Sequence, residues 1–350
     1  MKKEREISGD ANLMFHRLLH FGFTFGDFTR LENRPPKFQE FSMELAQLAA
    51  KYEQKGKNAE SAELKQSACH FFDLASRYYH FAQLFIPAVR VKEQFRGKSR
   101  ANFREMAKNA PAKIEFMQIK YGEHRIPAYI HKFHDDAPTV IFINGLDSSK
   151  EVELSTFARH FYMRGMNVVA FDGPGQGEIR KSCPMQRTNH QEAVSVLVDY
   201  LINEKGINED KLGVFGVSFG GYLAPRAAAH DKRFKACISL SGPYSYDLLY
   251  VPPIVLADMK EQYNLPEANS MEDFKSLISL NDIEGKLLCP SYIVIGEADH
   301  LLKETEKDKL ENFPAGEKKV LRIPGAEHVC SSHHAEILPE LADWMLKKLK

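Results

Sequence analysis

The pattern of apolar and polar residues divides the chain into two parts with different periodicities. Across residues 11–96, apolar residues recur every three to four positions, which is typical of amphipathic helices. One such stripe predicts a long helix that ends before Pro87, and shorter helices are predicted at 14–21 and 38–50. The members of the long stripe are Leu64, Ala68, Phe71, Ala75, Tyr78, Ala82 and Phe85. We therefore expect residues 1–109 to form an all-α domain.

From residue 110 onward, short β-rich runs alternate with helical stretches. The runs at 114–120 and 126–132 predict an antiparallel pair joined near Gly122. Later strands are predicted at 139–143, 168–171, 212–215, 236–240, 291–295 and 319–323. Helices are predicted between them, at 152–163, 191–203, 222–229, 301–312 and 336–349. This alternation predicts an α/β domain over 110–350, with a mostly parallel sheet and ligands beyond the carboxyl ends of its strands.

One interval interrupts the alternation. Residues 242–286 contain no clear strand, only helical patterns at 248–259 and 271–280 that are broken by prolines. We interpret this interval as a helical insertion over the strand ends.

The most informative short motif is Gly216-Val-Ser-Phe-Gly220, which matches G-x-S-x-G. A predicted strand precedes it and a predicted helix follows it, the setting in which such a serine sits on a sharp turn with its hydroxyl exposed. Ser218 is therefore the candidate nucleophile. The alternative is a structural turn whose serine caps the helix.

A serine nucleophile needs a base, and the base needs an orienting acid. Asp299 follows the predicted strand 291–295, and His328 follows the strand 319–323. The three residues therefore occur along the chain in the order serine, acid, histidine, which is the order expected after a G-x-S-x-G motif. These two residues are predicted to complete a Ser-His-Asp triad. The competing side chains nearby are Glu297, His300, His333 and His334. We interpret His333 and His334 as a solvated helix start.

The tetrahedral intermediate also requires hydrogen-bond donors for its oxyanion. The backbone N–H of Phe219, directly after the nucleophile, is one candidate. The N–H of Leu146 is the second, because the loop 144–147 follows the strand 139–143.

Charge and cysteine content narrow the function classes. Lys and Arg number 47, as do Asp and Glu, so no net field favours nucleic acid or an anionic membrane. The five scattered cysteines fit reduced thiols, and no signal peptide or 18-residue apolar span is evident. We expect a cytoplasmic protein that binds neither nucleic acid nor membrane.

No cofactor or metal site is predicted. The glycine-rich segment 173–177 lacks the spacing of a phosphate loop, and we interpret it as a turn that shapes a pocket wall. The clusters at 131–136 and 330–334 lack the ligand spacings that metal sites use.

Taken together, five motifs resemble the α/β-hydrolase fold, and more closely the group that contains 2,6-dihydropseudooxynicotine hydrolase, the fermentation/respiration switch proteins and the polyketide-shortening hydrolases. The motifs lie at 143–151, 172–178, 216–220, 296–299 and 325–328. The resemblance implies that Ser218, Asp299 and His328 form the triad. It also implies that the N-terminal helices form a domain over the active site.

The resemblance draws notice to Asp147 as well. Relatives that hydrolyse carbon–carbon bonds have a Glu at this point, so a substrate-binding role is one reading. The other is that Asp147 caps the helix predicted to begin near Lys150.

The expected activity is that of a serine hydrolase acting through an acyl-enzyme on an apolar or aromatic carbonyl compound. Hydrolytic C–C cleavage of an aromatic or polyketide-like β-diketone is the first reading, favoured by the resemblance. A carboxylesterase is the second, and a non-catalytic interaction protein on a hydrolase scaffold is the third.

The aromatic residues of the helical half are mostly expected to be core. Some of them are candidates for a pocket wall, with Phe21, Phe25 and Tyr79 as the ones to test. A homodimer through the helical half is a further prediction.

Overall fold

The computed structural model describes residues 18–32, 38–84, 86, 89–246, 251, 253–265 and 271–350. It divides the chain into two compact units, one that ends at Glu115 and one that extends from Phe116 to Lys350. The boundary expected from the sequence, between 109 and 110, coincides with the end of the last helix of the first unit.

The described part of the first unit is helical. Its helices are α1 (Phe25–Glu32), α2 (Phe38–Ser61), α3 (Lys65–Ala82) and α4 (Val89–Asn109). The helix predicted at 38–50 is longer than expected and ends at Ser61. Phe85 and most of the predicted helix at 14–21 lie outside the described residues.

The predicted apolar stripe lies mostly on the buried face of α3. Ala68, Ala75, Tyr78 and Ala82 are buried. Leu64 is an exception: it precedes the helix and is exposed. The predicted stripe is therefore one residue too long at its N-terminal end.

Aromatic side chains form much of the core of this unit. Phe23 stacks on Tyr78 with ring centroids 3.9 Å apart, and Phe21 meets Phe81 edge to face at 5.1 Å. Tyr79 is also buried, and its hydroxyl donates to Glu53 Oε2 at 3.0 Å. Phe25, by contrast, is 71 % exposed.

The second unit contains an eight-stranded sheet in the order β1-β2-β4-β3-β5-β6-β7-β8. Strands β3 to β8 are parallel, and β2 pairs antiparallel with β4. The strands are β1 (Ile114–Tyr121), β2 (His124–His131), β3 (Thr139–Ile143), β4 (Asn167–Phe171), β5 (Leu212–Val217), β6 (Phe234–Leu240), β7 (Ser291–Gly296) and β8 (Lys318–Ile323). Every residue of β3, β4 and β5 is buried, which explains why these strands are continuous apolar runs.

Helices connect the strands of this unit. They are α5 (Lys150–Thr156), α6 (Ala158–Tyr162), α7 (Asn189–Lys205), α8 (Phe219–His230), α9 (Pro253–Tyr263), α10 (Met271–Leu277), α11 (Glu304–Asn312) and α12 (His334–Leu349). The single helix predicted at 152–163 is two helices that meet at Phe157. That side chain is fully buried against Phe215 and His334, with ring centroids 5.8 and 5.4 Å away.

The predicted fold class is confirmed: a mostly parallel sheet with flanking helices, together with an N-terminal helical unit. The interval 242–286 contains α9 and α10 and no strand among its described residues. The carboxyl ends of β3 to β8 all lie at one edge of the sheet because these strands are parallel. The candidate site residues follow four of these ends.

Candidate active site

Ser218 lies on a sharp turn between β5 and α8. Its backbone is in an unusual conformation for a serine, with φ 55° and ψ −123°, and such strain is concentrated at functional positions. A Cβ on Gly216 would lie 1.9 Å from the Gly220 carbonyl oxygen, and one on Gly220 would lie 2.1 Å from that of Ile143. The turn can form only because both flanking residues are glycine.

The structure brings the side chains of Ser218, His328 and Asp299 together. Ser218 Oγ is 2.8 Å from His328 Nε2, and His328 Nδ1 is 2.8 Å from Asp299 Oδ2. Asp299 is buried, and its Oδ1 accepts from the Leu301 N–H at 3.0 Å. With both nitrogens of the ring engaged, the imidazole is oriented to take a proton from the serine hydroxyl.

The competing acid and imidazole on the Asp299 loop point elsewhere in the structure. Glu297 and His300 are both exposed, whereas Asp299 between them is buried. A backbone hydrogen bond joins the loops after β7 and β8, because the Ala298 N–H donates to Ala326 O at 2.9 Å. A Cβ on Gly296 would lie 2.5 Å from that same oxygen, so the glycine permits this close approach.

The backbone after His328 is held by side chains from two other elements. Val329 and Cys330 both have positive φ, 59° and 53°, which is costly for a β-branched residue. Ser241 Oγ accepts from the Val329 N–H at 3.2 Å, and His334 Nε2 lies 2.6 Å from the Val329 carbonyl oxygen. These two contacts fix the loop that carries the imidazole.

This arrangement corrects the interpretation of His334 as part of a solvated helix start. Its side chain is buried, and burial lowers its pKa to about 4. The ring is therefore neutral at pH 7 and donates Nε2–H to the Val329 carbonyl. The sequence showed only a histidine at a helix start, with no signal that the last helix packs inward there.

The loop 144–147 lies beside the nucleophile. Strands β3 and β5 pair in parallel with Ile143 opposite Gly216, so the chain segments that follow them begin side by side. A Cβ on Gly145 would lie 3.5 Å from Ser218 Cβ. Phe219 is the first residue of α8, so its N–H has no acceptor within that helix. The loop that carries Leu146 therefore lies next to Ser218, as Phe219 does, and the role of their N–H groups as oxyanion donors stays a prediction.

A buried ionic network holds this loop, and the sequence reasoning missed it. Lys150 is fully buried, and its Nζ lies 2.8 Å from Asp172 Oδ2 and 3.1 Å from Glu178 Oε2. Glu151 Oε1 is also 2.8 Å from Nζ, as an ion pair without hydrogen-bond geometry. Asp172 in turn accepts from Asn144 Nδ2 at 2.8 Å. The network therefore ties the loop after β3 to the loop after β4.

Burial and charge oppose each other in this network. Burial alone lowers the pKa of Lys150, but Asp172, Glu151 and Glu178 raise it above its ordinary value. Burial likewise raises the pKa of Asp172, and Lys150 with the backbone N–H groups of Glu178 and Lys150 lowers it below its ordinary value. Both groups are consequently charged at neutral pH.

A second set of contacts reaches the backbone of the same loop. Arg180 is buried, and its Nη2 donates to the Leu146 carbonyl oxygen at 2.5 Å. Its Nη1 lies 3.5 Å from Glu261 Oε2 on α9. One guanidinium therefore links the insertion to the peptide that follows Leu146.

Gln176, in the turn after β4, supports the loop from another direction. Its Nε2 donates to the Asn144 carbonyl oxygen at 2.8 Å, and its Oε1 lies 2.9 Å from His190 Nε2. Burial lowers the pKa of His190 to about 3, so the ring is neutral and donates Nε2–H. The segment 173–177 thus holds the loop after β3 through Gln176.

Aromatic side chains from the insertion form a series of ring contacts that begins at Phe219. Tyr263 meets Phe219 at a centroid distance of 6.5 Å, and Phe274 meets Tyr263 at 5.9 Å. Tyr246 stacks on Phe274 at 5.2 Å. The aromatic pocket residues predicted from the sequence lie in the helical half, and these three residues were not among them.

Arg226 fixes the end of the insertion to the helix that begins after the nucleophile. It is buried in α8, and its Nη1 donates to Ser279 O and to Asp282 Oδ1, both at 2.7 Å. The insertion is therefore anchored to α8 by charge-assisted hydrogen bonds.

Asp147 lies in the loop between β3 and α5 and is partly exposed. Helix α5 begins at Lys150 as expected, and the residue at its N-cap position is Ser149. Both readings of Asp147, substrate binding and helix capping, stay predictions.

Two kinds of feature are absent from the residues that the structure describes. In that part of the chain, no group of three or more His, Cys, Asp or Glu side chains is arranged to hold a metal ion. None of its helices combines the length and apolar character that membrane crossing requires.

Comparisons with known proteins identify the family of the chain. The family model described as esterase FrsA-like matches residues 39–273. The chain is 28 % identical to 2,6-dihydropseudooxynicotine hydrolase of Paenarthrobacter nicotinovorans, over 96 % of this chain and 92 % of that protein. It is 30 % identical to 20-hydroxy-prefusarin hydrolase of Gibberella moniliformis, over 51 % of this chain and 46 % of that protein.

The solved structures give the same result. The crystal structure of 2,6-dihydroxy-pseudo-oxynicotine hydrolase superposes with a TM-score of 0.85 at 25 % identity, covering 96 % of this chain and 95 % of that chain. The resemblance noted from the motifs is confirmed. The chain is a hydrolase of the α/β-hydrolase fold and belongs to the FrsA-like esterase family.

Proposed function

We propose that the chain is a serine hydrolase that cleaves a C–C bond of an aromatic or polyketide-like β-diketone through an acyl-enzyme. The observation that carries the proposal is the hydrogen-bonded series from Ser218 through His328 to Asp299 at the carboxyl edge of the sheet. The resemblance to C–C hydrolases favours the C–C bond as the target, and two relatives are named as hydrolases of 2,6-dihydropseudooxynicotine and of 20-hydroxy-prefusarin.

The first half of the reaction makes the acyl-enzyme. Ser218 Oγ attacks one carbonyl carbon of the diketone while His328 Nε2 accepts the hydroxyl proton. The oxyanion is stabilised by the N–H groups of Leu146 and Phe219. When the C–C bond breaks, its electron pair leaves with the departing enolate, and the imidazolium returns the proton to give a neutral ketone.

The second half uses one water molecule. His328 takes a proton from water as the oxygen attacks the acyl carbon, and collapse of the second tetrahedral intermediate restores the Ser218 hydroxyl. The products are one carboxylic acid and one ketone. Asp299 orients the imidazole and stabilises its protonated form throughout.

The aromatic group around Phe219 favours an apolar substrate. Phe219 directly follows Ser218, and the buried rings of Tyr263, Phe274 and Tyr246 extend from it in a series of ring contacts. Binding sites for small molecules are lined mainly by such side chains. We also propose that Asp147, in the loop after β3, contacts the substrate.

A carboxylesterase is the second candidate, and the description of the matching family as an esterase favours it. The same residues cleave an ester if the leaving group is an alkoxide, because protonated His328 can give its proton to oxygen as well as to carbon.

Turnover of matched substrates tests the proposal. An aryl ester and a panel of β-diketones with the same acyl group are assayed with the wild-type protein, with Ser218→Ala, and with Ser182→Ala as the control for loss of an exposed serine hydroxyl. C–C cleavage predicts a higher kcat/KM for at least one diketone than for the ester, with only Ser218→Ala inactive. If only esters are turned over, C–C cleavage is contradicted and the carboxylesterase is the function that remains.

Cytoplasmic location and a homodimer through the helical unit complete the proposal. In that unit, Leu19, Phe25, Met43 and Leu64 are large apolar side chains with exposed surface. Light scattering after gel filtration is expected to give twice the 39.9 kDa chain mass. A peak at the mass of one chain would contradict the homodimer.

A further inference from the structure

Ser148 carries a buried hydroxyl that no contact in the structure explains. Its side chain is 6 % exposed, and within the described part of the chain its Oγ has no hydrogen-bond partner. Buried polar groups in folded proteins are almost always paired, and an unpaired one weakens the folded state. A hydroxyl kept at such a position calls for a partner that binds there.

The location of Ser148 identifies that partner. The position that a Cβ on Gly145 would occupy lies 3.5 Å from Ser218 Cβ and 3.9 Å from Ser148 Cβ. The Cβ atoms of both serines therefore lie within contact distance of the one position that a Gly145 side chain would occupy. The unpaired hydroxyl is carried by the loop next to Ser218, the nucleophile that the proposed function requires.

The backbone around Ser148 is fixed before any substrate binds. The Ser148 N–H donates to Gly145 O at 3.4 Å, which closes a turn. Two residues later, the Lys150 N–H donates to Asp172 Oδ1 at 2.9 Å, and the side chain of Lys150 joins the buried network. The Ser148 hydroxyl can therefore rotate about its Cα–Cβ bond while hydrogen bonds hold the backbone that carries it.

We propose that Ser148 is a catalytic residue whose Oγ–H donates the third hydrogen bond to the oxyanion, beside the backbone N–H groups of Leu146 and Phe219. The proposal rests on the proposed function, since an oxyanion forms only if Ser218 attacks a carbonyl. A donor aimed at this oxygen gains strength as negative charge develops, so it acts mainly on the transition state.

Ser148→Ala is the first test, with Ser149→Ala as the matched control one residue later on the same loop. Ser149 is partly exposed and makes no side-chain cap bond to α5. For Ser148→Ala we expect kcat to fall by about 10²- to 10³-fold for both the aryl ester and the diketone, with KM nearly unchanged. Ser149→Ala is expected to match the wild type.

Thermal stability separates this role from a structural one. Because Ser148→Ala removes an unpaired buried hydroxyl, its Tm is expected to equal or exceed that of the wild type. A trifluoromethyl ketone, which forms an oxyanionic adduct on a serine nucleophile, is expected to lose affinity by a factor similar to the loss in kcat. A lowered Tm with unchanged inhibitor affinity would overturn the proposal.

Gly145→Ala is a second variant that tests the position beside the two serines. The added methyl group would meet its neighbours at ordinary contact distances of 3.4–3.9 Å, so the protein is expected to fold. The methyl group would, however, occupy the position within contact distance of both serine Cβ atoms. We expect kcat/KM to fall at least about tenfold, and full activity in this variant would contradict the proposal.

The outcomes distinguish this inference from the proposed function. If the wild type forms no Ser218-dependent adduct with a fluorophosphonate, the proposed function fails. If the wild type is active and Ser148→Ala retains its kcat, only the assignment of Ser148 fails. A loss of kcat that is confined to the diketones would also overturn this assignment. It would mean that the Ser148 hydroxyl acts on the leaving group and not on the oxyanion.

Discussion

On one side of Ser218, the loops after β7 and β8 hold their functional side chains through short hydrogen bonds among a serine, a histidine and a single buried carboxylate. On the other side, the loops after β3 and β4 are held by a lysine and an arginine buried with carboxylates. In the proposed mechanism the first side presents the groups that transfer protons, and the second presents the loop with the Leu146 N–H. The difference indicates that buried ion pairs fix the backbone on the second side, whereas a series of hydrogen bonds positions the side chains on the first.

The largest expected effect comes from breaking the first side. Ser218→Ala and His328→Ala are each expected to lower kcat by up to about 10⁶-fold, and Asp299→Asn by about 10⁴-fold, because the three residues act as a unit. Steady-state assays with the aryl ester measure these losses. The double variant Ser218→Ala/His328→Ala should lose no more than either single variant. Additive losses would show that the residues work independently.

Substitutions in the buried ion pairs of the second side are expected to lower the stability of the folded protein. Lys150→Met leaves Asp172 buried without its cation, and the free energy of unfolding is expected to fall by about 3–5 kcal/mol. Denaturant titration measures this change in the free energy of unfolding. The matched control is Lys348→Met, which breaks a surface pair with Glu317 and is expected to cost at most about 1 kcal/mol. Equal losses in the two variants would contradict the contrast between buried and exposed charge.

A second buried carboxylate sharpens the comparison. Glu306 of α11 is fully buried on the first side, where it accepts from the backbone N–H groups of Tyr244 and Ser245. Burial raises its pKa from 4.5 to about 7, against smaller lowering effects of these N–H groups and of Lys309 and Lys303. The folded protein therefore holds this proton more tightly than the unfolded chain.

The sign of the pH effect follows from that difference. Between pH 4.5 and about 7 the folded state binds more protons at this site, so its contribution to stability is lost as pH rises through that window. Glu306→Gln mimics the protonated form and is expected to raise the free energy of unfolding at pH 8 by up to roughly 3 kcal/mol. At pH 4 the gain should vanish. A gain that is independent of pH would contradict the assignment.

The smallest expected effect tests the link from the insertion to the oxyanion loop. Arg180→Lys keeps the charge but loses the planar group that reaches both Leu146 O and Glu261. We expect kcat to fall about tenfold with little change in KM, because the loop shifts while the substrate contacts remain. Arg187→Lys, which changes a partly exposed guanidinium on a surface ion pair, is the control.

The first side of the site could be predicted from the sequence because each of its residues directly follows a strand. Ser218 is marked by its glycines, and Asp299 and His328 each follow an apolar run, so parallel strand order alone brings them to one edge. The bounds of β3 were predicted to the residue, and the other strand bounds to within about two residues, since these strands are bounded by polar or glycine-rich segments.

The second side could not be predicted in the same way. Lys150 and Asp172 are 22 positions apart, and only the pairing of β3 with β4 places them together. A lysine in a sequence is nearly always a solvated surface residue, so its burial has no local signal. Arg180 and His334 were missed for the same reason. The aromatic residues of the insertion were overlooked because no periodic pattern connects Tyr246, Tyr263 and Phe274.

The central claim is that Ser218 is a nucleophile activated by His328. Labelling with a fluorophosphonate, followed by mass spectrometry of the intact protein and its peptides, tests this directly. The account predicts one adduct on the wild type, located on Ser218, absent from Ser218→Ala and formed at least about 10³-fold more slowly in His328→Ala. No adduct on the wild type, or equal labelling rates in the wild type and His328→Ala, would contradict it.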